Sequence, residues 1–145
     1  MTTLNQKVGF TFEPFTFSIE RGKIKEFALA IGDPNPIYYD IKNAKEEGYR
    51  DIPVPPTFAT CIEMWEGADF DTLIKALELN PLKVLHGEQT YEYLDCMYAG
   101  DVIQGKTSVV KVETKRNLKL VTLQTDYFNQ HGKKVLIATS TVIER

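Results

Sequence analysis

Four long runs rich in β-branched and aromatic residues fill the second half of the chain, over residues 84–94, 102–114, 119–129 and 134–143. They are separated only by Ala99-Gly100-Asp101, Arg116-Asn117 and His131-Gly132, all turn-forming groups. Runs of this length joined by short turns predict an antiparallel meander of about five to six strands once a leading segment is added. The first half carries helical spacing instead, so helices precede strands and the class is α+β. Apolar residues fall on both faces of the runs, as in Val135-Leu136-Ile137-Ala138. Such a sheet needs cover on both sides, and one helix supplies only one of them. Further helices or a second subunit must supply the other.

Ile24, Phe27, Ala28 and Ile31 follow the i, i+3, i+4, i+7 rule, which predicts a helix from Glu20 to Ile31 ended by Gly32. A shorter helical piece is read over Asn43–Glu47, stopping at Gly48. Pro53, Pro55 and Pro56 hold the chain extended until Thr57, a residue type that caps helices. Phe58, Cys61, Ile62 and Trp65 then repeat the helical stripe, so this element is expected to bury one side. Gly67 interrupts it, and Leu73, Ile74 and Leu77 restore the period before Asn80-Pro81. Upstream, Phe10, Phe12, Phe15 and Phe17 around Pro14 suggest an extended segment lying on the core.

The 145 residues suffice for one domain, read as 1–145, with no repeat or low-complexity stretch. A net charge of −3 without a basic run argues against nucleic acid and anionic membrane as partners. Cys61 and Cys96 lie in unrelated contexts, which points to packed thiols of a reducing compartment rather than a disulfide framework or zinc site. No apolar signal core or membrane-length stretch is present, and a cytoplasmic location is expected.

Residues 27–38 carry the most chemical information. An apolar helix stops at Gly32, and Asp33, Pro34, Asn35 and Pro36 follow before Tyr38 and Tyr39. A carboxylate and a carboxamide are thus displayed on a stiff, non-helical segment beside a buried helix, as a small-molecule site requires. The same residue types also serve simply as turn caps. Asp-x-Asn-Pro-Ile followed by an aromatic ring resembles the hydratase motif of MaoC-like proteins, in the N-terminal dehydratase branch of that family. Val54-Pro-Pro-Thr-Phe58, His86-Gly-Glu-Gln89 and Ala99-Gly100-Asp101 extend the resemblance over most of the chain.

The resemblance implies a single hotdog fold, an antiparallel sheet wrapped around a central helix, usually paired edge to edge with a second copy or a related chain. It implies hydration or dehydration of (3R)-hydroxyacyl/2-enoyl thioesters on CoA or an acyl carrier, with no metal or redox cofactor. Asp33 matches the catalytic Asp of the motif and Asn35 its loop-orienting Asn. At the family's His position stands Tyr38. A phenol with a reference pKa near ~10 donates a hydrogen bond but is a poor proton shuttle at pH 7. Where the family places a His-Gly pair to bind the thioester carbonyl, this chain has Pro55-Pro56, leaving the amides of Thr57 and Phe58.

His86 is the candidate replacement imidazole, working with Asp33 across the pocket, and Gly87 beside it marks a bulge that would re-aim it. His131 belongs to an exposed turn. Glu63 lies off the helical stripe and is read as exposed or at an interface, although some hotdog thioesterases keep their base at such a place. The expectation is a substrate-holding half that works with a motif-complete partner in a homodimer or heterodimer. The rivals are a self-sufficient hydratase or thioesterase, and a non-catalytic acyl-thioester-binding module.

Overall fold

A computed structural model describes residues 3–145. Strand β1 (Phe15–Ser18) is followed by helices α1 (Arg21–Ile31), α2 (Ile41–Glu46), α3 (Ala59–Glu66) and α4 (Phe70–Leu77). Strands β2 (Val84–Tyr93), β3 (Val102–Lys115), β4 (Leu118–Phe128) and β5 (Lys134–Glu144) complete the chain. All pairs in the five-stranded sheet are antiparallel, in the order β1-β3-β4-β5-β2. The four expected runs are strands. Arg116 and Asn117 both adopt left-handed backbone, the geometry of a two-residue hairpin turn between β3 and β4.

The inward face includes four long cross-strand rows beside the buried Phe17–Ile103 pair. Phe15, Gly105, Tyr127, Leu136 and Tyr93 form the first, and Thr107, Thr125, Ala138 and Tyr91 the second. Val109, Leu123, Ser140 and Gln89 form the third; Val112, Val121, Val142 and His86 form the fourth. Two bulges set these rows. The register slips between His86 and Glu88, so Gly87 is the extra residue and His86 faces inward with Gln89, Tyr91 and Tyr93. A second slip between Val109 and Lys111 does the same for Val112. At Gly105 a Cβ would stand 2.3 Å from the Phe15 ring, so only glycine lets that ring lie flat on the sheet.

The cover over this face is in two parts. Phe58, Ala59 and Ile62 at the start of α3 join Ile24 and Ala28 of α1, Tyr38 and row-one residues in one apolar cluster. Ile74 and Leu77 of α4 join Phe12 and the far ends of β3, β4 and β5 in another. Helix α1 begins one residue later than expected and ends at Gly32, whose φ of 71° lets its amide and that of Asp33 close the last turn on Leu29 and Ala28. Helix α2 starts earlier than Asn43, because the Asp40 side chain accepts from the Lys42 amide and caps it.

Two expectations for α3 are corrected. Thr57 does not cap it: Pro55 to Phe58 form a turn closed by the Phe58 amide on the Pro55 carbonyl, and Phe58 itself stands at the N-cap. Trp65 is not on the buried side. The eight-residue helix ends at Gly67, and its last turn leaves the indole 70% exposed, with the Lys23 ammonium over the ring.

The Ala99-Gly100-Asp101 connection locks these layers together. Its backbone bonds to Ile19 beyond β1 and to Ile52 before α3. The Asp101 carboxylate, 2% exposed, accepts from Arg50 at 2.6 Å, from Gln130 at 3.0 Å and from the Tyr98 amide at 2.9 Å. Removing it leaves these donors without an acceptor. Asp101→Ala is expected to lower the unfolding free energy by about 1–3 kcal/mol, seen as an earlier denaturant midpoint with unchanged slope.

Candidate functional site

The residues after Gly32 form a braced loop. Asp33 Oδ1 accepts from the Asn35 amide at 3.0 Å, and Asn35 Oδ1 accepts from the Ile37 amide at 3.2 Å, starting a short 3-10 turn over Pro36–Tyr38. Tyr39 donates its hydroxyl to the Asp33 carbonyl at 2.5 Å. One oxygen of each motif side chain therefore holds the loop, which is the turn-capping role. Asp33 Oδ2 and Asn35 Nδ2 make no hydrogen bond among the described residues. Tyr38 is buried; loss of water, the Asp33 carboxylate and Tyr49 all push its phenol above the ordinary range. A neutral phenol of this kind can donate or accept a hydrogen bond.

A line of tyrosines connects this loop to the central helix. Tyr93, whose phenol burial and the neighbouring Tyr91 and Tyr38 push upward, donates to the Pro56 carbonyl just before α3. The Tyr91 hydroxyl meets the Thr60 hydroxyl at 2.5 Å on the first turn. One turn further, fully buried Tyr127 donates to Glu63 Oε1 at 2.8 Å. Tyrosines from rows one and two thus fix the start of α3 to the sheet.

A cavity of about 370 Å³ lies between the sheet and the α3–α4 connection. Its sheet side includes Thr107, Thr125, Ser140, Gln89 and His86. Glu63, Met64 and Gly67 bound it from α3, Phe70 and Leu73 from α4, and Phe12 and Phe15 from the leading segment. Glu63 is half-buried here, contrary to the expectation of an exposed or interface carboxylate. Burial raises its carboxyl above the usual range, against the opposing influence of the Tyr127 hydrogen bond and nearby His86.

The structure divides the sequence candidates. Asp33, Asn35 and Tyr38 share one loop. His86 faces inward as its bulge implied, but it lines the cavity with Glu63, and Asp33 is not among the lining residues. The Phe58 amide is spent on Pro55 and its ring is fully buried against Phe17 and Phe27, so Phe58 is a core residue. Thr57 remains exposed, and its amide has no backbone acceptor among the described residues. The sequence reading missed Tyr91, Tyr93 and Tyr127, whose inward orientation follows only from strand register.

Residues 6–138 match the family described as FAS1-like, dehydratase domain region. This chain belongs to that family. A UPF0336 protein of Thermobifida fusca is 35% identical over 132 residues, covering 91% of this chain and 86% of the relative. Among solved structures, the HadBC (3R-hydroxyacyl-ACP dehydratase) complex from Mycobacterium tuberculosis superposes with a TM-score of 0.82 at 20% identity, over 94% of this chain and 96% of that one. A MaoC-like dehydratase from Rhodospirillum rubrum gives 0.72 at 23% identity, over 94% and 91%. The α+β architecture is the hotdog fold that the sequence resemblance implied.

The carboxyl of Glu63 has a consequence for stability. Folded protein holds its proton to higher pH than the unfolded chain does, so its favourable contribution is complete at low pH and is lost as pH rises through the elevated value. Glu63→Gln keeps an oxygen for Tyr127 and removes the titration. Its unfolding free energy relative to the unaltered protein is expected to grow from acidic to neutral pH in parallel denaturation series; a constant offset would mean a carboxyl that titrates alike in the folded and unfolded chain.

Proposed function

We propose that this chain is the substrate-holding component of a (3R)-hydroxyacyl-thioester dehydratase, or equivalently an enoyl-thioester hydratase, that depends on a second chain for proton transfer. The observation that carries this reading is Tyr38, a buried phenol next to Asp33 in the motif loop. Hydration needs two groups that exchange protons near neutral pH, and a phenol pushed upward is not one of them. Asp33 Oδ2 and Asn35 Nδ2 are free to meet the thioester end of a ligand, with Tyr38 as a donor and the Thr57 amide as a carbonyl-binding group. His86 lies too clearly with Glu63 to be assigned as the partner of Asp33.

The sheet supports a paired state. Among the described residues strand β2 is an edge of ten residues paired with β5 alone, and Leu85 and the following Leu94 are exposed there. A long edge of this kind is normally covered. The M. tuberculosis dehydratase named above is itself a complex of HadB and HadC. A CoA or acyl-carrier thioester and a cytoplasmic setting belong to the same proposal.

The purified chain is expected to hydrate crotonyl-CoA at background rate and to support turnover when mixed with a family member that retains the motif histidine. Tyr38→His, which restores an imidazole beside Asp33, is expected to raise the rate of the chain alone by roughly 10²-fold, the usual worth of a general acid–base group. Rapid hydration by the unaltered chain that survives Asp33→Ala would overturn this reading and move the chemistry to Glu63 and His86.

A further inference from the structure

The cavity over rows two to four is unlike an ordinary hydrocarbon pocket. Its walls are apolar, with Phe12, Phe15, Leu73 and Leu123 among them. Its floor is not. Thr107, Thr125 and Ser140 come from three adjacent strands and face inward, where a covered sheet ordinarily carries aliphatic side chains. The two threonine hydroxyls satisfy each other at 2.8 Å. Ser140 and the second oxygen of Glu63 have no such partner among the described residues. A purely hydrocarbon occupant would strip water from both and return nothing, at a cost that buried polar groups without partners always carry.

We propose that this cavity receives the acyl chain of the ligand and selects chains bearing a hydroxyl or oxo oxygen partway along their length, held between Glu63 and Ser140. This rests on the acyl-thioester reading given above. The volume of about 370 Å³ falls within the ~300–1,000 Å³ of small-molecule sites. Asp33, Asn35 and Tyr38 do not line the cavity. The oxygen read here is therefore distinct from the one beside the thioester, and it lies further along the chain. The geometry fits the role: one Glu63 oxygen is held by Tyr127 at 2.8 Å, which leaves the other to accept from a ligand hydroxyl, while the Ser140 hydroxyl can donate to an oxo oxygen or accept from a hydroxyl.

Calorimetric titration of the purified chain with two acyl-CoA ligands tests this: a saturated medium-chain acyl-CoA, and the same acyl-CoA carrying one hydroxyl midway along its chain, with free CoA as control. The hydroxylated ligand is expected to bind about tenfold more tightly, the equivalent of one hydrogen bond worth ~1.4 kcal/mol. Ser140→Ala should reduce that preference. Glu63→Leu combined with Tyr127→Phe should abolish it; changing both partners avoids leaving the Tyr127 phenol unpaired. Melting curves confirm that each variant is folded. Equal or tighter binding of the plain chain, or a preference that survives in both folded variants, overturns the proposal while leaving the acyl-thioester reading intact. Failure of both acyl ligands to bind better than free CoA overturns the two together.

Discussion

An eight-residue helix cannot cover eleven-residue strands. Helix α3 is about 12 Å long at 1.5 Å per residue, whereas β4 spans about 36 Å at ~3.3 Å per residue. The inward face of the sheet therefore has to be roofed by more than one element. Near the motif loop, the start of α3 and α1 do this; at the far end, α4 and Phe12 do. Between the two apolar clusters the roof is thin, because Gly67 ends α3 before α4 begins. The cavity is the geometric remainder of that mismatch, bounded by residues of both helices and by the sheet between the two clusters.

The motif loop follows from the other end of the same arrangement. Helix α1 stops at Gly32 because its left-handed backbone closes the helix, and the following prolines and Asx turns leave the loop few alternatives. Tyr38 is drawn into the core by the apolar cluster around α1 and α3. Burial of that ring and the upward push on its phenol are thus one physical event.

Much of this architecture was legible from spacing. The four strand runs, the helix to Ile31, the break at Gly67 and the hairpin at Arg116-Asn117 all follow from periodicity and turn chemistry, and the structure keeps them. The bulge at Gly87 was legible too, as a glycine inside a strand. The face on which His86 lands was readable from that bulge; its neighbour was not. Which residue sits across from an inward side chain depends on long-range register, and no local pattern brings Glu63 from α3 over Tyr127 from β4. Trp65 was misread because a stripe predicts burial only as far as there is sheet beneath it. Thr57 was misread because two prolines form a turn that leaves Phe58 to open the helix.

Strand β2 has two duties at once. Its outer border is unpaired among the described residues, while its inward side chains are tied to the first turn of α3 and the segment before it, through Tyr91 to Thr60 and Tyr93 to Pro56. Gln89 and His86, on the same strand, form part of the wall around the cavity. The border open to pairing and one wall of the cavity are therefore the same strand.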